Sequence, residues 1–93
     1  MTIDYKDIVK GLIEEEQETI GALAVKKAEE VEGLELDDDG KVTEISGNGK
    51  QVLSELVDNY ESMVGESIGS VIRHQGDKEE MPDLPENVQK YFH

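Results

Sequence analysis

Three consecutive aspartates, Asp37, Asp38 and Asp39, are the residues with the clearest potential for chemistry in this sequence. Calcium-binding loops of the EF-hand type place oxygen ligands at alternate positions, with a glycine at position 6 and a bidentate glutamate at position 12. Counted from Glu35, Asp37 and Asp39 fall at positions 3 and 5, and a glycine follows at position 6. Position 12 is Ser46, which removes the bidentate carboxylate. The three aspartates are therefore candidates for weak cation attraction, with Asp37 and Asp39 as the candidate metal ligands.

The segment Gly-Glu-Ser-Ile-Gly at 65–69 matches the Gly-x-Ser-x-Gly pattern of serine hydrolases. That pattern exposes a nucleophile only on a strained turn between a strand and a helix, whereas Ser67 falls inside a strongly amphipathic segment. His74 follows two turns later, where a positive charge complements the end of a helix. The sequence contains no cysteine, which excludes disulfides and thiol catalysis. We expect no catalytic residue, no cofactor and no enzyme activity.

The charge is strongly negative, with 23 Asp and Glu residues against nine Lys and Arg and a formal net charge of −14. This sign disfavours binding to nucleic acids and to anionic membranes. Three interpretations stay open: ordinary solvation, adaptation to high intracellular salt as in halophilic proteins, or a surface that receives a basic protein partner.

The longest apolar run, at 22–25, is far shorter than the ~20 residues of a membrane span. The N-terminus also lacks the basic and apolar regions of a signal peptide. From the sequence we expect a cytoplasmic protein.

Apolar residues recur every three or four positions over 4–32, which predicts a long amphipathic helix. Thr2 or Asp4 is a suitable N-cap. Gly21 lowers the helix propensity by about 1 kcal/mol relative to alanine, so we expect a bend or break near it.

The acidic run at 14–16 is most simply interpreted as a solvated face. Because Glu16 falls close to the apolar face, the alternative is that its carboxylate meets a lysine or a polar group of another chain and helps to set the register.

Two short segments with alternating apolar residues, 34–36 and 42–45, predict a β-hairpin. The Asp-Gly pair between them favours the tight turn that such hairpins use.

A second amphipathic helix is predicted after the hairpin, beginning at an Asn48 cap and ending at Gly76. Gly65 in this helix and Gly21 in the first stand at corresponding points of similar patterns. We expect these glycines to mark a close approach of the helices.

The sequence changes character at 77–93, where polar residues and two prolines predict an acidic linker followed by a short helix or tail. On that helix Leu84, Val88, Tyr91 and Phe92 share one face. This face either docks on the parent domain or fills a groove in a partner. We take the four residues as candidate partner-binding residues.

Together these patterns predict an α+β protein of α-β-β-α order, with a single domain over 1–76 and the linker and tail over 77–93. Because two helices and one ribbon form a thin layer, we expect a homodimer that completes a four-helix core. The expected function is that of a non-catalytic interaction or regulatory module that binds a protein. The alternatives are a cation-responsive, calcium-like protein that uses the loop Asp37–Asp39, and a small halophilic structural domain without a ligand.

Overall fold

The computed structural model describes residues 3–76 and 78–92, except for the side chains of Glu66, Lys78 and Phe92. Within these residues the chain is mostly helical, with one two-stranded antiparallel sheet, as expected for a compact α+β protein. The elements in order are α1 (Tyr5–Ile20), α2 (Ala22–Glu29), β1 (Leu34–Leu36), β2 (Val42–Ile45), α3 (Gly49–Gln75) and α4 (Glu86–Gln89), with 3-10 turns at Lys78–Glu80 and Lys90–Phe92.

The first predicted helix is divided at Gly21, which confirms the expected break. Asp4 caps α1, because its carboxylate accepts a hydrogen bond from the Asp7 backbone amide at 2.9 Å. Gly21 adopts a φ of +64° and a ψ of −141°, a conformation that glycine reaches with little strain. Thr2, the alternative cap, lies outside the described residues.

The hairpin between the helices forms as predicted. Its loop closes through a 2.9 Å hydrogen bond from the Gly40 amide to the Asp37 carbonyl, and Gly40 has a φ of +82°. The Asp37 carboxylate accepts further hydrogen bonds from the amides of Asp39 and Lys41, both at 2.9 Å. The first aspartate therefore shapes the turn.

The predicted second helix is α3, whose first turn is capped by Asn48 and which is followed by Gly76. A feature that the sequence did not predict is a kink at Val64, where φ is −135° and ψ is 34°. No helix among the described residues combines the length and the apolar character needed to cross a membrane.

The first two helices run antiparallel to α3 and enclose the core with it. The Ile8 carbonyl accepts a hydrogen bond from the side chain of Gln75 at 3.2 Å, whereas the Ala24 carbonyl accepts one from the Tyr60 hydroxyl at 2.7 Å. Contacts therefore move toward the start of α3 as the chain advances along α1 and α2. The largest fully buried apolar side chains are those of Ile8, Leu12, Ile13, Leu53, Leu56, Tyr60, Ile68 and Ile72.

The close helix approach expected at Gly21 and Gly65 is not found. A Cβ atom built on either glycine would have no heavy atom within 4 Å. The tight contact lies instead at Gly69, where a Cβ atom would come within 2.7 Å of the ring of Tyr91. Gly69 therefore accommodates the C-terminal segment.

The C-terminal segment packs against α3. Met81, Leu84 and Val88 are 8%, 5% and 0% exposed and belong to the same hydrophobic cluster as the helices. An ion pair of 2.7 Å joins Lys50 at the start of α3 to Asp83. The segment thus completes the core on one side of α3.

Candidate functional site

The three aspartates of the hairpin loop are all exposed. One oxygen of Asp37 is engaged by two backbone amides of its own turn. Within the described ranges, no group of three or more His, Asp or Glu side chains is arranged to hold a metal ion. The loop presents exposed carboxylates on one turn, and cation binding by Asp37 and Asp39 stays a prediction.

Ser67 lies in α3, half-buried. Its hydroxyl oxygen is 3.1 and 3.2 Å from the two carboxyl oxygens of Glu16, and 3.0 Å from the carbonyl oxygen of Val64. His74 is exposed near the end of the helix. The serine of the hydrolase-like pattern therefore contacts a buried carboxyl group on a different helix.

Three of the four candidate partner-binding residues of the tail, Leu84, Val88 and Tyr91, face their own chain. Leu84 and Val88 are buried in the core, and Tyr91 is half-buried with its hydroxyl donating to Glu61 at 3.1 Å. The side chain of Phe92 lies outside the described part of the chain. Docking on the parent domain is thus the arrangement observed, and partner binding by this face stays a prediction that would require the segment to leave its place.

A different surface concentrates negative charge between the end of α2 and the middle of α3. There a shallow groove of about 300 Å³ is bordered by four carboxylates. We call it the acidic groove, and its lining residues are Glu30, Val31, Glu32, Glu55, Asp58 and Asn59.

On the α2 side, the path of the chain after the helix creates the groove. Val31 is 3% exposed, and its amide donates to the Ala28 carbonyl at 3.0 Å. Because Val31 turns into the core, its two neighbours, Glu30 and Glu32, are left exposed. The carboxylates of Glu30 and Glu32 therefore lie on either side of the buried Val31.

On the α3 side, helical periodicity places two more carboxylates on the face turned away from the core. Glu55 and Asp58 are three residues apart and share this face, whereas Leu56 and Val57 between them are fully buried. Asn59 donates a hydrogen bond of 3.1 Å to the carbonyl of Lys27. This bond joins α3 to the last turn of α2 beside the groove.

The side chains that line the groove give it a negative potential. The C-terminal end of a helix carries a partial negative charge, and α2 ends beside Glu30. No Lys, Arg or His occurs among the described residues that line the groove. The ion pairs recorded for the described chain, Lys50–Asp83 and Lys90–Glu61, lie elsewhere. A cationic group entering the groove would therefore meet several carboxylates, of which Asp58 also interacts with Lys90.

The groove continues toward the start of α3. A neighbouring cleft of about 440 Å³ shares Glu32 and Glu55 with it and adds polar side chains, including Asn48 and Gln51. Asp58 is partly engaged, because it accepts a 3.0 Å hydrogen bond from Asn87. Glu30, Glu32 and Glu55 are thus the carboxylates most directly offered to a ligand.

The sequence did not identify this groove as a site. The acidic residues after α2 are visible in the sequence, and so is the polar face of α3. Their convergence depends on the antiparallel packing of the two helices, which no local pattern encodes. Comparison with known proteins gave no match to a family model, a curated protein or a solved structure.

Proposed function

We propose that the protein is a non-catalytic interaction module and that its acidic groove receives a basic segment of a partner protein. The observation that carries this proposal is the convergence of four carboxylates between the end of α2 and the middle of α3, with no cationic side chain lining the groove. Lysine or arginine side chains of a partner would form charge-assisted hydrogen bonds with Glu30, Glu32 and Glu55. They would also relieve repulsion among the carboxylates and the α2 dipole.

The shape of the groove favours side chains over a small rigid ligand. It is shallow, and with the neighbouring cleft it forms a strip along the first half of α3. Exposed charge pairs are individually weak and are screened by salt, so binding should be reversible and should weaken as ionic strength rises. Such contacts contribute mainly to selectivity and to fast association.

Homodimer formation is a separate prediction. The dimer is predicted because two helices and a ribbon form only a thin layer. The C-terminal segment weakens this reason, because it covers part of α3. Among the described residues, the large apolar side chain left exposed is Leu23, at 44%. Light scattering at tens of micromolar protein tests the dimer, and a monomer mass would contradict it.

A peptide titration followed by amide chemical shifts tests the proposed function. The probe is a peptide of about six lysines, with a glutamine peptide of equal length as the uncharged control. We expect saturable shifts concentrated at residues 30–32 and 55–59, which shrink when salt is added. Shifts spread evenly over all exposed carboxylates would contradict a specific groove.

The same amide spectra test the alternative function, in which the protein is a calcium-like, cation-responsive protein. Calcium chloride replaces the peptide in a second titration, and shifts confined to residues 35–46 would support a cation-responsive loop. No shifts in that segment at millimolar calcium would contradict it.

A further inference from the structure

The core of this strongly acidic protein contains a carboxyl group. Glu16 is 0% exposed and is the charged residue that the described chain buries among its apolar side chains. An ionised carboxylate without a cationic partner is costly in such a place, because burial removes its hydration. The groups around Glu16 therefore decide which protonation state the fold accepts.

The Ser67 hydroxyl can donate to an ionised Glu16, but only a protonated Glu16 lets Ser67 keep this contact and donate to the Val64 carbonyl at the same time. The hydroxyl oxygen of Ser67 is within 3.2 Å of both carboxyl oxygens and 3.0 Å from the Val64 carbonyl oxygen. Ser67 has a single hydroxyl proton, which cannot serve both acceptors well. A protonated Glu16 donates to the Ser67 oxygen, and Ser67 then donates to Val64.

The charges near Glu16 act in the same direction. Burial is the main cause that raises its pKa, and the negative charge of Glu15 on the same helix raises it further, while the hydrogen bond from Ser67 lowers it in part. From α3, Tyr60 also faces this carboxyl, with its own hydroxyl donating to the Ala24 carbonyl. The elements α2 and β2 also pack on α1, and among the described residues neither supplies a cation that acts on Glu16.

The contact between Glu16 and Ser67 lies close to a kink in α3. Val64 is the residue at which α3 kinks, and Ser67 lies three residues beyond it. Glu16 belongs to α1, so its bond to Ser67 joins α1 to the part of α3 after the kink. We propose that protonated Glu16 and Ser67 form a proton-dependent latch between α1 and the kinked part of α3, and that deprotonation loosens this contact.

The raised pKa fixes the direction of the pH dependence. In the unfolded chain Glu16 titrates near its ordinary value of 4.5, and in the folded protein its pKa is higher. The stabilising contribution of the latch is therefore complete below the unfolded pKa and is lost as pH rises through the folded pKa. A pH above the raised pKa of Glu16 therefore releases the latch.

Thermal unfolding of Glu16→Gln tests the latch, with Glu14→Gln as the control. Both variants remove one carboxylate from α1, but Glu14 is exposed. Near pH 4 we expect Glu16→Gln and the natural protein to have similar Tm values. Near pH 8 the variant should be more stable by about 5 °C, because its amide stays neutral. A Tm difference that does not change with pH, or one that Glu14→Gln reproduces, would overturn the proposal.

A measurement on the natural protein tests the latch independently, even if Glu16→Gln fails to fold. Carbon-13 spectra follow the side-chain carboxyl carbon of Glu16 during a pH titration. We expect Glu16 to titrate clearly above its ordinary pKa of 4.5, and the amide shifts of Ser67 and Ile68 to change with the same midpoint. A Glu16 midpoint at or below 4.5, or amide shifts that do not follow it, would refute the latch.

Discussion

Glu35 and Glu44 face each other across the hairpin, and both are exposed. The pKa of Glu35 is raised because its carboxyl shares a hydrogen bond with Glu44 and because the charge of Glu44 opposes its ionisation. Like charges in directly opposed positions destabilise a strand pair. The favourable contribution of protonated Glu35 is present below its ordinary pKa of 4.5 and is lost as pH rises through the raised value.

Reversing one of these charges should therefore stabilise the hairpin. We expect Glu44→Lys to raise the Tm slightly at neutral pH, and the gain should shrink toward pH 4 as Glu35 loses its charge. Asp38→Lys is the control, since it makes the same change of net charge on the exposed loop. An equal gain in both variants would show that the general reduction of charge, and not the Glu35–Glu44 pair, is responsible.

At the scale of elements, Gly21 and Gly65 both interrupt helical sequence but in different ways. Gly21 separates α1 from α2 with a positive φ, whereas Gly65 lies within α3 without one. Neither position is crowded, because a Cβ atom would meet no heavy atom within 4 Å at either site. Backbone conformation is thus the main difference between the two.

Alanine substitutions should consequently have opposite effects. We expect Gly21→Ala to lower the free energy of unfolding by about 1–2 kcal/mol, since alanine is strained at positive φ. Gly65→Ala should raise it by about 0.5–1 kcal/mol, because alanine is the better helix former. Urea unfolding measures both. Destabilisation of similar size in the two variants would contradict the claim that the positive φ of Gly21 makes this position specific for glycine.

Local rules were sufficient to predict most of the elements. The break at Gly21, the hairpin turn at Gly40 and the cap at Asn48 each depend on residues within a few positions of one another. The kink at Val64, the Ser67 partner of Glu16 and the acidic groove depend on contacts between distant segments. The sequence favours a solvated face for residues 14–16, with a lysine or another chain's polar group as the alternative partner of Glu16. The packing of α1 on α3 instead buries Glu16 against Ser67 of the same chain.

At the scale of the whole molecule, the C-terminal segment is part of the core. Met81, Leu84 and Val88 are buried against the helices. Burial of each such side chain contributes about 1.5–3 kcal/mol. Removal of residues 77–93 should therefore lower the free energy of unfolding by several kcal/mol, a large part of the about 5–15 kcal/mol typical of a small domain.

Urea unfolding of the truncated chain checks this prediction and the expected boundary between 1–76 and 77–93. Leu84→Ala in the full chain is the milder companion variant, with an expected loss of about 2–4 kcal/mol. A truncated protein as stable as the full chain would show that residues 1–76 form an independent domain and that the tail is free to bind a partner.

The net charge of −14 has three interpretations: ordinary solvation, adaptation to high salt, and recognition of a basic partner. Solvation and adaptation to salt depend on the amount of charge, and they predict similar effects for neutralisation of any exposed carboxylates. Recognition of a basic partner depends on where the charge lies. Two triple variants with equal net charge separate these cases: Glu30, Glu32 and Glu55 to glutamine in the acidic groove, and Glu14, Glu15 and Glu18 to glutamine on exposed positions of α1.

The affinity of the lysine peptide for these two triple variants, measured at about 0.15 M salt, is the most direct test of the proposed function. We predict that the groove variant binds at least about tenfold more weakly than the natural protein, because three converging charges are lost. The α1 variant should lose no more than about twofold. An equal loss of affinity in the two variants would contradict the acidic groove as a binding site.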